Sequence, residues 1–163
     1  MVDVTEISAL VAASGVLIGI VYYILEMRHQ EKMRKTDLVV RLYSTWISKE
    51  FSEATLKTWN LQFKDYDDFV KRYGPWFSDT EVYASLRMVG NFFELLSILL
   101  SNGLVDINMV ANTFGIPIET TWKKIKPLVE GGRKKYGPYL YYNFEHLYNE
   151  MKKREQKRQQ SEV

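Results

Sequence analysis

Two histidines, His29 and His146, are the only imidazoles in this chain, and neither has a second ligand at metal-binding spacing. There is no cysteine, which excludes disulfides, thiolate nucleophiles and thiolate-held metals. No nucleophile elbow, phosphate-binding loop or dinucleotide fingerprint occurs, and the glycines of "GNFFE" and "GGR" stand alone. No catalytic residue, cofactor or metal site is assigned on these grounds. Binding, not catalysis, is the expected mode of action.

The residues that could bind by charge lie between 108 and 135. "NMVANTFGIPIETTWKKIKP" has the outline of a helix-turn-helix, with Val110, Ala111, Phe114, Gly115 and Ile116 at the places where a first helix and its turn need small or apolar groups. The second half does not complete the pattern. Its expected inward positions fall on Thr121 and Lys124, while the apolar Trp122 and Ile125 come one place later. "EGGRKKYG" resembles a basic wing, and Lys123, Lys124, Lys126, Arg133, Lys134 and Lys135 could contact the phosphates of nucleic acid or of lipid. A solvated charged face is the plainer reading. Anionic lipid would attract such a run by about 1 kcal/mol per basic residue near the surface.

A third set lies on the segment from Glu81 to Leu100. At helical spacing Met88, Val89, Phe92, Phe93, Leu95, Leu96, Leu99 and Leu100 cover about half the circumference, so most of this helix is expected to be buried at the centre of the fold. Arg87, Asn91 and Glu94 align along the remaining stripe. One carboxylate with no second acid, histidine or metal ligand makes no acid-base pair, so a structural polar network is expected, with Arg41 or Arg133 as partner for Glu94.

These groups need elements to hold them, and the punctuation predicts an all-α chain. An amphipathic period runs from Asp37 to Ser48. Ser48 starts the next helix to about Leu61, and "DYDDFVKRYGP" gives a short one stopped by Gly74 and Pro75. "SDTE" at 78–81 is a capping box opening a helix that Gly103 stops. Asp106 caps a helix that Gly115 ends. Pro117 opens its successor, Pro127 bends it and "GGR" ends it. Tyr139 to about Arg158 is the last helix, and no strand or repeat is read.

The N-terminus carries the clearest signal. Ile7 to Leu25 contains no charged residue, and its nineteen positions reach ~28 Å at ~1.5 Å per residue, close to the ~30 Å hydrocarbon core. Asp3 and Glu6 precede it, while Arg28, Lys32, Arg34 and Lys35 follow it as a basic membrane-surface group. The positive-inside rule then sets the N-terminus outside and the remainder in the cytoplasm of a single-pass cell-membrane protein. Ser8, Ala12, Gly15 and Gly19 share one face of this helix, where a second copy or a subunit of a larger membrane complex could pack. The expected divisions are a tail and transmembrane anchor at 1–27, a basic juxtamembrane segment at 28–36, a multi-helix domain at 37–151 and a charged tail at 152–163.

"RMVGNFFELLSILLSNGLVD", followed by "FG", Trp122, Pro127, Arg133 and "NFEHL" at 143–147, resembles a microbial family of membrane-anchored helical proteins. That family is labelled only as a domain of unknown function, of the 4760 type. The resemblance runs from about Leu38 to Met151, and it implies an N-terminal membrane helix with a small helical domain, and no cofactor or catalytic residue. The function expected is that of an interaction or accessory subunit at the bilayer. The alternative is a membrane-tethered regulator binding nucleic acid through 108–135.

Overall fold

The computed structural model describes residues 3–75, 78 and 81–161. Its described residues form six helices and no strand: α1 (Val4–Trp46), α2 (Lys49–Asn60), α3 (Tyr66–Tyr73), α4 (Glu81–Ser101), α5 (Ile107–Tyr136) and α6 (Tyr142–Ser161). The all-α expectation holds. The chain divides into a unit up to Leu38 and a second unit from Val39 onward.

In the first unit the apolar stretch and the basic segment share one helix. Residues 28–36 are helical within α1, because nothing between Ile20 and Trp46 is glycine or proline and the polar groups support the helix locally. Glu31 pairs with Lys35 at 2.8 Å, Gln30 donates to Glu26 at 3.1 Å, and the Thr36 hydroxyl donates to the Lys32 carbonyl at 3.0 Å. By length and composition two helices of the described chain could cross a membrane, α1 from Leu10 onward and α4; 44% of the apolar window of α4 is buried, against 0% for α1.

The second unit is built around α4. Ser48 caps α2, accepting from the Phe51 amide at 3.2 Å, and Asp65 caps α3, accepting from Asp68 at 2.9 Å. α4 ends as its sequence requires: Gly103 has φ 66°, its amide donates to Leu100, and the Leu104 amide donates to Leu99 at 2.9 Å, a Schellman closure. The "SDTE" capping box lies partly outside the described residues, at Asp79 and Thr80.

The core is aromatic. Trp46 sits 5.2 to 5.9 Å from the rings of Phe51, Phe92, Phe93 and Phe114, and Phe144 of α6 stacks on Phe93 at 4.8 Å and meets Trp122 at 5.1 Å. A second knot joins α3 to α4 through Phe69 and Tyr83, 5.3 Å apart. Tyr83, Leu86, Val89, Phe92, Phe93 and Leu96 of α4 are buried, whereas Met88 and Leu95, expected inside, are exposed with Ile98. α2 and α6 are the principal partners of α4, and they leave the stripe from Arg87 to Ile98 open.

The main departure from expectation is α5. It runs unbroken through Gly115, Pro117, Pro127 and the "GG" at 131–132, and stops only at Gly137, where φ is 107° and the amide donates to Arg133 at 3.1 Å. Val110, Phe114, Ile118, Thr121, Trp122, Ile125, Leu128 and Val129 keep a helical period across both prolines and are buried. Their continuous packing outweighs the one backbone bond each proline removes. Gly131 lies against α3: a Cβ there would fall 2.1 Å from Tyr66 Cβ, so this glycine permits a close helix approach and marks no helix end.

Candidate functional site

Residues quoted above as separate landmarks converge where α6 begins. Glu94, on α4, accepts from Asn143 through its amide at 3.2 Å and its side chain at 2.8 Å, and from the Phe144 amide at 2.8 Å. These amides belong to the first turn of α6, so Glu94 supplies the acceptor that a capping side chain otherwise provides, together with a negative charge at the positive end of the helix dipole. Arg133, on α5, donates to the Leu140 carbonyl at 2.9 Å and pairs with Glu145 at 2.6 Å. Arg133 is therefore not the partner of Glu94.

Between these anchors Tyr141 holds a left-handed conformation, φ 50°, which costs a non-glycine residue about 1 kcal/mol. It is held there by its buried ring, which lies over Gly90 so closely that a Cβ at Gly90 would stand 2.5 Å from Cζ. Burial, and after it the charge of Glu94, raise the Tyr141 phenol well above its ordinary range. The arrangement fastens α4, α5 and α6 together. Its carboxylates are occupied by amides and a guanidinium, which is structural work.

A concave surface lies elsewhere, between the first half of α5 and the second half of α6. This groove of about 370 Å³ has a floor of Ala111, Gly115, Ile116, Tyr148 and Met151. Ile116 is 81% exposed, and no atom lies within 4 Å of where a Cβ on Gly115 would sit, so the α5 side of the floor is open, while Met151 on the α6 side is buried. Placing Ile116 at an inward position of a helix-turn-helix is thus corrected: it faces the groove. The rim is charged. Glu119 accepts from Lys123 at 2.6 Å and Lys152 at 2.8 Å, and Lys152 reaches Glu155 at 3.1 Å. The hydrogen bond from Lys123, and next that from Lys152, hold the Glu119 carboxyl below its usual range. Arg154 donates to Asn108, and Arg158 lies one helical turn further along the rim.

The six basic residues of 123–135 all lie on α5, and most of them have partners of their own. Lys123 is paired with Glu119 and Lys126 with Glu130 at 3.7 Å, Lys124 lies over the Phe63 ring at 5.6 Å, and Arg133 is committed to the α6 junction. Lys134 and Lys135 are exposed, the latter over Tyr136. With α5 a single helix, there is no turn and no separate recognition helix. The helix-turn-helix geometry is overturned by the continuous packing of its apolar stripe.

Of the expected polar network only Glu94 is engaged in this way; Arg87 and Asn91 are exposed on the open side of α4. Ser8, Ala12, Gly15 and Gly19 are exposed on α1, with nothing within 4 Å of a Cβ at either glycine. Arg28, Lys32 and Arg34 are exposed as well, and Lys35 is paired within its own helix. Among the described residues no group of three or more His, Asp or Glu side chains is placed to share a metal ion.

A family model described as "Domain of unknown function (DUF4760)" matches residues 9–151. No curated protein and no solved structure matches the chain.

Proposed function

Because the chain belongs to the family described as a domain of unknown function (DUF4760), its work has to be read from its own surfaces, and we propose that it is a single-pass membrane-anchored helical subunit that acts by binding. In this reading 7–25 lie in the bilayer, the N-terminus is outside, and the unit from Val39 onward is cytoplasmic.

The observation that carries the reading is the exposure of α1. Val11, Leu17, Ile18, Val21 and Leu25 all face outward with nothing of the chain over them, at a cost of about 25 cal/mol for each Å² left in water. Lipid removes that cost. The hydroxyls of Ser8 and Ser14 donate to the carbonyls of Val4 and Leu10, at 2.9 and 2.8 Å, so they carry no unpaired donor into hydrocarbon. The asymmetry of basic residues supports the orientation. The open small-residue face at Ser8, Ala12, Gly15 and Gly19 suits a second copy or another membrane subunit.

Binding is favoured over catalysis because Glu94, Arg133 and Glu145 are spent on holding α6, while the α5–α6 groove offers an apolar floor with a charged rim. The test is alkaline extraction and protease treatment of sealed vesicles carrying the full chain. Retention in the membrane pellet, with cleavage of the helical unit from the cytoplasmic side alone, is expected. Release into the supernatant, or cleavage from the outer side, refutes it.

A further inference from the structure

The small residues of α1 begin a longer pattern. In the unit up to Leu38, Ser8, Ala12, Gly15 and Gly19 are spaced by four, three and four, and the same alternation continues through Tyr22, Glu26, His29, Met33 and Thr36. From Ser8 to Thr36 it completes four heptads within one helix, and every member is exposed except the half-buried Glu26. A line that recurs every 3.5 residues stays facing a neighbour when two helices wind round each other with a left-handed twist. Resting on the membrane-anchored reading, we propose that this line is the seam of a parallel homodimer, its occupant being α1 of a second copy of this chain.

The basic segment selects this line over its alternatives. A two-fold axis along the seam sets each seam residue against its own copy, so a lysine or arginine there would meet a like charge. Of the seven lines that a heptad allows, five place at least one of Arg28, Lys32, Arg34 and Lys35 on the seam. The two that do not have Ala12, Gly19, Glu26 and Met33 in common. One of them adds Gln30 and Asp37, so that within the basic segment its only charges are acids. The other is the proposed seam, in which Glu26 is followed one layer later by His29.

That succession is self-complementary. In a parallel pair the Glu26 of each copy stands beside the imidazole of the other, and the contact is made twice about the axis. An imidazole has an N–H to donate in either protonation state, and the Glu26 carboxylate has acceptor positions beyond the bond that its Oε1 takes from Gln30 at 3.1 Å. Polar layers of this kind cost stability but fix register and strand number. The Thr36 hydroxyl already donates to the Lys32 carbonyl of its own helix at 3.0 Å, so the seam strands no donor there. Toward the N-terminus no atom lies within 4 Å of a Cβ on Gly15 or Gly19, which leaves room for a second backbone to approach. An unrelated helix would have to match both the small residues and the Glu26–His29 step; a second copy matches them by symmetry.

The chain has no cysteine, so one introduced cysteine reports one place. Full chains carrying Thr36→Cys, on the seam, or Glu31→Cys, on the opposite side of α1, are placed in phosphatidylcholine vesicles and oxidised with copper phenanthroline. A disulfide-linked dimer is expected from the first and monomer from the second. Energy transfer between N-terminally labelled copies follows the association without a cross-link. Glu26→Lys should weaken it about tenfold by setting like charges against each other, and adding His29→Glu to that variant should restore it.

Equal cross-linking at the two positions overturns the proposal, as does association unchanged by Glu26→Lys. A cross-link that forms only when Ser8→Cys and Thr36→Cys chains are mixed would make the pair antiparallel and also overturns it. A chain that does not sediment with the vesicles fails the anchored reading, and the dimer with it; one that sediments but gives no dimer at Thr36→Cys fails this proposal alone.

Discussion

Replacing Gly115 by alanine should stabilise the protein, and the sign of that effect tests the architecture of α5. Glycine inside a helix costs about 0.8–1.0 kcal/mol relative to alanine, because more backbone freedom is lost on folding. At Gly115 nothing opposes the gain: the residue lies within one continuous helix, and an added Cβ would meet no atom within 4 Å. The expected change is therefore about 1 kcal/mol of added stability, a rise of roughly 3–5 °C in Tm for a folded unit of this size. Were Gly115 the left-handed residue of a turn between two helices, alanine would instead cost about 1–2 kcal/mol. The two architectures differ by some 2–3 kcal/mol at one atom, well beyond the error of an unfolding curve. Gly131→Ala provides the internal contrast. It has the same helix and the same intrinsic gain, but its Cβ would lie 2.1 Å from Tyr66 Cβ and 2.8 Å from Cγ. α3 must then move, and the overpacking cost of about 1–3 kcal/mol opposes and is expected to exceed the gain. Thermal unfolding of the full chain in a neutral detergent, followed by tryptophan fluorescence, reads both. A lowered Tm for Gly115→Ala would refute the continuous helix, and a raised one for Gly131→Ala would refute the close packing of α3 on α5.

Three further outcomes are expected. Glu94→Gln should cost about 1–3 kcal/mol in urea unfolding, because its amide group can no longer accept from every donor of α6 that the carboxylate served; a neutral result would mean that water replaces it. Trp122→Ala, at a fully buried ring touching Phe144 and Tyr148, should cost about 3–5 kcal/mol, against under ~0.5 for Lys134→Ala on the exposed side of the same helix. Glu119 has its folded pKa held below the ordinary 4.5 by Lys123 and Lys152, so its contribution is present above that value and is lost as pH falls from there through the folded pKa. Glu119→Gln should accordingly flatten the acid limb of a stability-against-pH curve; an unchanged limb would show that these ion pairs add nothing.

Much of the fold was legible from local signals whose physics is local. Ser48, Asp65 and Asp106 cap because a short oxygen-bearing side chain reaches amides two or three residues on, and Gly103 stops α4 because its φ is positive. The same local logic misread α5. Gly115, Pro117 and the glycines at 131–132 each weaken a helix by a modest amount, while the burial of Phe114, Ile118, Trp122 and Ile125 on one face contributes more and runs through all of them. The unbroken period of those four was the signal to weigh. Glu94 could be recognised as needing donors, but its donors lie 49 and 50 residues away and are amides that only become free because α6 starts there. The groove was not legible at all, since Ile116 is conspicuous only after α6 has docked beside it.

The fastening of α6 to α4 also bears on how the chain is made. α4 leaves the ribosome before α6 exists, so the surface that Phe93 later shares with Phe144 is bare until the last helix has been synthesised. During that interval α4 is a bare segment that, by length and composition, is long and apolar enough to cross a membrane. Arg87, Asn91 and Glu94 are spaced through that segment, and a charged residue near the centre of an inserting helix costs about 2.5–3.5 kcal/mol on translocon-derived scales. Arg87 and Asn91 add little to the folded core, facing outward as they do. Together with Glu94 they raise the cost of placing α4 in hydrocarbon and so favour its remaining in water, where α6 can arrive and close the fold.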